Sequence, residues 1–102
     1  MVPQLLVDSG TDSTDTSIGG DAGAEIAADR TPLSIHVASD RACTLSIERF
    51  NEVADDWYEA QSESVATPGD SFIYSGTYGR VRVTLTVVGS SAWNAQVWGA
   101  AG

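Results

Sequence analysis

Apolar and polar side chains alternate with a period of two along most of the chain after Leu33, which is the pattern of strands that bury one face. The clearest run is 80–88, whose apolar set is expected to face a core and whose polar set is expected to face solvent. Shorter runs of this kind lie at 33–38, 43–48, 57–62, 71–75 and 93–98. The pattern predicts an all-β fold, a small antiparallel β-sandwich of the jelly-roll or Ig-like kind with six to eight strands.

Turn-forming residues separate these runs. Residues 39–41 read Ser-Asp-Arg, and we expect the runs at 33–38 and 43–48 to form a hairpin around them. Pro68 and Gly69 predict a tight turn before the next strand.

The segment before Leu33 has a different composition. Residues 8–30 are rich in Asp, Ser, Thr, Gly and Ala, and their only large apolar side chains are Ile18 and Ile26. This composition is typical of disorder, so an ordered form needs backbone partners from a sheet edge or from a neighbouring subunit. We therefore divide the chain into an extended N-terminal arm that contacts a partner, 1–32, and a β-sandwich domain, 33–102.

The charge balance is strongly acidic. Nine Asp and five Glu oppose five Arg and no Lys, which gives a formal net charge of -9. Nucleic acid is an unfavourable partner because its binders need a cationic surface. The Lys-free composition is similar to that of proteins from salt-loving archaea, where molar salt shortens the Debye length to about 3 Å and screens self-repulsion.

The length of 102 residues fits one domain, and a domain of this size has a poor surface-to-volume ratio. We therefore expect an oligomer or a subunit of an assembly. The start of the chain has no basic region that would mark a secretory signal, and no apolar stretch is long enough to span a membrane.

No pattern of catalytic residues stands out. His36 is the only histidine, it occupies a polar position of a predicted strand, and no G-x-S-x-G motif is present. Cys43, the only cysteine, is expected to be a small buried hydrophobe and can form no intrachain disulfide. The carboxylates near Asp55 and Glu48 are expected to be solvated charges rather than a glycosidase pair. The sequence predicts that the protein is not an enzyme.

Cofactor and metal motifs are also lacking in the sequence. The N-terminal acidic residues do not follow the EF-hand order, and the glycine-rich stretches lack the Lys of a P-loop. The acidic residues concerned are Asp8, Asp12, Asp15 and Asp21. We expect no cofactor and no metal.

The aromatic side chains are the most informative candidates for binding. Trp93 and Trp98 lie five apart, so in one strand they project from opposite faces and at most one can be core. The other has three possible roles: packing into a subunit interface, packing at a sheet edge, or stacking on a sugar. The residues proposed for an interface are Leu5, Leu6, Ile18, Ile26, Arg80, Arg82, Trp93 and Trp98.

From Leu33 onward the chain resembles a group of short proteins encoded among the structural genes of tailed viruses. The pieces that carry the resemblance are CTLSIERF, ADDWYEA, ATPGDSF, TYGRVRVTLTV and WNAQVWG. The glycine that usually follows the aspartate in that group is missing, since Trp57 directly follows Asp56. The resemblance implies a β-sandwich virion component and transfers no functional residues.

These observations lead to one function and one alternative. The first is a virion structural subunit, made in the host cytoplasm, that decorates or stabilises a capsid or head-tail region. Its partners would be copies of itself, the major capsid protein or other virion proteins. The alternative is a β-sandwich module that binds glycans or host-surface polymers.

Overall fold

The computed structural model describes residues 3–9, 16–27, 32–76, 79–88 and 92–101, and these form strands and one short 3-10 helix, Gly20–Ala22. The expectation of an all-β sandwich is confirmed. The strands are β1 (Gln4–Asp8), β2 (Ser17–Gly19), β3 (Ile26–Ala27), β4 (Leu33–Ser39), β5 (Cys43–Asn51), β6 (Asp56–Val65), β7 (Gly69–Tyr74), β8 (Arg80–Thr86) and β9 (Ala95–Ala101).

The strands form two antiparallel sheets. The front sheet has the order β1-β9-β4-β7, and the back sheet has the order β2-β8-β5-β6, with β3 also paired to β8. Because β2 and β3 both run along β8, they act as one interrupted strand. The pairs β1·β9, β2/β3·β8, β4·β7 and β5·β6 are then nested inside one another, which is the strand order of a jelly roll.

The interruption between β2 and β3 depends on two glycines with positive φ. Gly19 has φ 100° and Gly20 has φ 58°, conformations that residues with a side chain rarely adopt. A Cβ on Gly19 would also collide with the backbone oxygen of Val83. The 3-10 helix that follows places Asp21 on the outward side of the back sheet, where its carboxylate accepts a hydrogen bond from Arg82.

The core lies between the sheets and is built from the alternating apolar side chains of both. The prediction for β8 is confirmed, since its apolar set is fully buried and Arg80 and Thr86 are exposed. Cys43 is buried as expected, and burial raises the pKa of its thiol. The side chains with essentially no exposure include Leu33, Ile35, Leu45, Ile47, Val81, Val83, Leu85, Trp93 and Val97.

The predicted hairpin of 33–38 with 43–48 is wrong. β4 lies in the front sheet and β5 lies in the back sheet, so residues 40–42 cross between the sheets as an arch. Both strands alternate correctly because each buries every second side chain, whichever sheet it joins. The arch is held by a contact distant in sequence, in which the backbone N–H of Asn94 donates to the Asp40 carboxylate at 2.9 Å.

The N-terminal residues also differ from the expected extended arm. Strands β1, β2 and β3 pair with this chain's own β9 and β8, so the sandwich does not begin at residue 33. Leu6, Val7 and Ile26 are buried in the core. The segment therefore contributes apolar contacts that its polar composition did not indicate. Contact between the N-terminal segment and another chain stays a prediction, and Asp12 and Asp15 lie outside the described residues.

Candidate interaction surfaces

The outward side of the front sheet, here called the front face, has two central rows of side chains fixed by the strand register. One row runs Leu5, Trp98, His36, Ser71 across β1, β9, β4 and β7, and the next contains Ser34 beside Ile73. These six residues are called the uncharged patch, because none of them is Asp, Glu, Arg or Lys.

The patch exposes two of its three large apolar side chains. Trp98 is 37% exposed and Ile73 is 55% exposed, while Leu5 is half-buried opposite Trp98. A lone exposed apolar residue is ordinary on a protein surface; here Trp98 lies beside Leu5, and Ile73 lies two strands away, across β4. Trp is also among the residues that contribute most to the affinity of protein interfaces.

His36 and Ser71 are hydrogen-bonded at the centre of the patch. The Nδ1 atom of His36 lies 2.8 Å from the Oγ atom of Ser71. No carboxylate in the described part of the chain is hydrogen-bonded to this imidazole, and the pair lies on an open sheet face. The third member of a hydrolase triad, which orients the imidazole, is therefore not provided by the described residues.

The outward side of the back sheet, here called the back face, is charged. Arg80 donates to both carboxylate oxygens of Glu25, at 2.6 and 3.0 Å, and its guanidinium lies 4.3 Å from the ring centroid of Phe50. These bonds lower the pKa of Glu25. Phe50 in turn packs edge-on against Trp57, with ring centroids 5.3 Å apart.

Arg82 belongs to the same group of contacts. This group is called the back-face network and consists of Arg80, Arg82, Asp21, Glu25, Glu48, Phe50 and Trp57. Its guanidinium lies 4.3 Å from the Trp57 ring and pairs with Asp21 and with Glu48, the latter at 3.4 Å. Glu48 also accepts a hydrogen bond from Thr84 at 2.8 Å. Glu48 is therefore ion-paired and largely buried rather than a solvated charge, which corrects the expectation for this residue.

The residues proposed for an interface are divided among three environments. Leu6, Ile26 and Trp93 are buried in the core and so cannot contact a partner, which corrects those three assignments. Arg80 and Arg82 belong to the back-face network, and Ile18 packs against the core at its edge. Only Leu5 and Trp98 meet on an open surface.

Sequence reasoning missed the other members of the uncharged patch, His36 and Ile73 above all. Each lies at an outward position of its own strand; the pairing of β4 with β9 places His36 directly beside Trp98, and the pairing of β4 with β7 places Ile73 on the far side of β4. The expectation that at most one of Trp93 and Trp98 is core is confirmed, since Trp93 has no exposed surface.

The described residues contain no cluster of three or more His, Cys, Asp or Glu side chains arranged to hold a metal ion. None of the helical structure in the described ranges is long and apolar enough to cross a membrane. In comparisons with known proteins, no protein-family model, no curated protein and no solved structure matches this chain.

Proposed function

We propose that this chain is a structural subunit of a protein shell, in particular of a viral particle, that associates with copies of itself through the uncharged patch. The observation that carries the proposal is the position of this patch on a chain with a net charge of -9. Two copies of such a chain repel each other, and a contact surface without carboxylates avoids burying like charges against one another. The patch is a surface that meets this condition and exposes Trp98 and Ile73.

The fold gives support by analogy. Jelly rolls occur in viral capsid proteins and also in lectin domains, so the topology is compatible with a shell subunit without assigning one. The resemblance of the segments around Trp57 and Val83 to structural proteins of tailed viruses favours the viral setting. The small size of the chain favours association as well, because a contact surface adds buried apolar area.

The experiment is a measurement of mass in solution by light scattering, in dilute and in molar salt. We expect the wild type to give a multiple of 10.7 kDa, most completely in molar salt, which screens the repulsion between acidic copies. Trp98→Glu places a carboxylate in the patch and should return the mass to that of one chain.

Thr44→Glu is the matched control, because Thr44 is an exposed, outward residue of β5 on the back face. This variant should associate like the wild type. A wild type that is monomeric in both salts, or an oligomer that Trp98→Glu leaves intact, would contradict association through the patch. Absence of the protein from purified particles of the virus that encodes it would contradict the viral setting.

A further inference from the structure

An open cleft of about 380 Å³ lies beside the uncharged patch, next to the row of the front sheet in which Asp8 faces Gln96. The arch residue Asp40 and the residue before β9, Asn94, line its floor, and Pro68 lines the side that leads into β7. The cleft therefore collects side chains from four separate segments of the chain.

Backbone hydrogen bonds hold these segments together. Ser39 N–H donates to the Pro68 carbonyl at 3.0 Å, and Asp40 N–H donates to the Asn94 carbonyl at 3.1 Å. Ser9 N–H donates to the carbonyl of Ala95 at 3.0 Å. A ligand would thus meet a site whose walls are already ordered, which lowers the entropy cost of binding.

The polar groups of the cleft suit ligand hydroxyls. The Oδ1 atom of Asp40 accepts from the backbone N–H of Asn94 at 2.9 Å, and Oδ2 accepts from its Nδ2 at 3.4 Å. An ionised carboxylate has about four acceptor positions, so Asp40 is oriented by Asn94 and keeps capacity for further donors. The carboxamide of Gln96 offers both a donor and an acceptor at the lip.

The charge and the apolar lining narrow the ligand class. Two carboxylates, Asp8 and Asp40, disfavour phosphate, sulfate and acidic sugars. Two carboxylates are too few for a cation cage of six to eight oxygens built from side chains, and the described residues hold no metal-ligand cluster. Ala38 and Pro68 supply exposed apolar surface of the kind that packs against the C–H face of a sugar ring.

We propose that this cleft binds one ring of a neutral glycan, with Asp8, Asp40 and Gln96 contacting its hydroxyls. This inference goes beyond the proposed shell function and uses different residues from the uncharged patch. A shell subunit with such a site would attach to neutral polysaccharide on a cell surface.

The experiment is an NMR titration of the ¹⁵N-labelled protein, in EDTA, with the methyl glycosides of glucose, galactose, mannose and N-acetylglucosamine. We expect at least one of them to bind with a Kd of about 1 mM and to shift amides confined to residues 8, 38–40 and 94–96. Asp8→Asn and Gln96→Ala should each weaken binding by about 3- to 10-fold, the effect of one lost hydrogen bond.

Asp55→Asn is the matched control, because it removes one charge from an exposed turn residue with φ 56°, where Asn is well tolerated. This variant should bind as the wild type does. Trp98→Glu should abolish association and leave the sugar shifts unchanged, which separates this proposal from the shell function. The proposal is overturned if no glycoside shifts the cleft amides, if Asp55→Asn weakens binding as much as Asp8→Asn, if sialic acid gives the same shifts, or if Ca²⁺ gives them in a separate titration without EDTA.

Discussion

The two outer faces of this sandwich differ in the charged side chains that they carry. The back face brings the carboxylates of Asp21, Glu25 and Glu48 onto two arginines, and the arginines onto two aromatic rings, so most of the charge of these groups is paired within the chain. The front face carries the uncharged patch, which leaves the indole of Trp98 partly exposed. The back face therefore pairs these charged groups within the chain, whereas the front face exposes apolar side chains.

This difference indicates which side of the sandwich offers surface to another molecule. Ion pairs and cation–π contacts such as those of Arg82 engage charged groups within the chain, although the Nε atom of Arg82 is buried without a hydrogen-bond partner. An apolar surface gains free energy only when something covers it. The predictions below test whether the two faces differ in this way.

The largest effect is expected from deletion of residues 1–32. The deletion removes Leu5 from the front face, removes Asp21 and Glu25 from the back face, and takes Leu6 and Ile26 out of the core. Each buried aliphatic side chain contributes about 2 kcal/mol, and small domains have only about 5–15 kcal/mol in total. We expect the shortened chain to be unfolded by circular dichroism and NMR. A folded product would show that the segment is an accessory arm after all.

The next effect separates the two tryptophans. Trp93→Ala empties a fully buried position and should lower the free energy of unfolding by about 3–5 kcal/mol. Trp98→Ala removes a side chain that is 37% exposed, so it should cost less stability than Trp93→Ala while weakening association. Urea unfolding of both variants at a concentration where the wild type is monomeric checks this contrast. Equal losses of stability would mean that Trp98 supports the fold rather than a contact.

A smaller effect is expected from Arg82→Met on the back face. The change leaves Glu48 largely buried with the hydroxyl of Thr84 as its hydrogen-bond donor, and it removes the nearer of the two guanidinium groups from the Trp57 ring. We expect a loss of about 1–3 kcal/mol in urea unfolding. His36→Ala on the front face should stay within about 0.5 kcal/mol. A similar loss of stability in both variants would show that the back face, with its charged groups paired within the chain, does not differ from the front face in this respect.

The sequence alone predicted what depends on periodicity. The burial of every second residue in β8 follows directly from the two-residue repeat. The partner of each strand does not follow from it, because a run such as that of β4 buries the same side chains in a hairpin or in an arch. The contact that selects the arch joins Asp40 to Asn94, more than fifty residues apart.

The N-terminal strands and the uncharged patch escaped prediction for a related reason. Short edge strands gain much of their stability from backbone hydrogen bonds, which composition does not report, and Leu6 and Ile26 are isolated among polar residues. The patch depends on the lateral register of four strands, and its members are far apart in sequence. Patterns within one strand cannot supply that register.

The smallest effect is expected at the exposed end of the back-face network. Glu25 has its pKa lowered chiefly by the hydrogen bonds from Arg80, so the pair stabilises the fold above the ordinary Glu pKa of 4.5. That stabilisation is lost as the pH falls through the lowered pKa, where Glu25 takes up a proton. Glu25→Gln should therefore lower the urea midpoint slightly at pH 7 and match the wild type near pH 3. Because both side chains are almost half exposed, molar salt should remove most of the difference at pH 7. A gap between variant and wild type that persists at low pH would assign the effect to packing rather than to charge, and would weaken the view of the back face as an internal charge network.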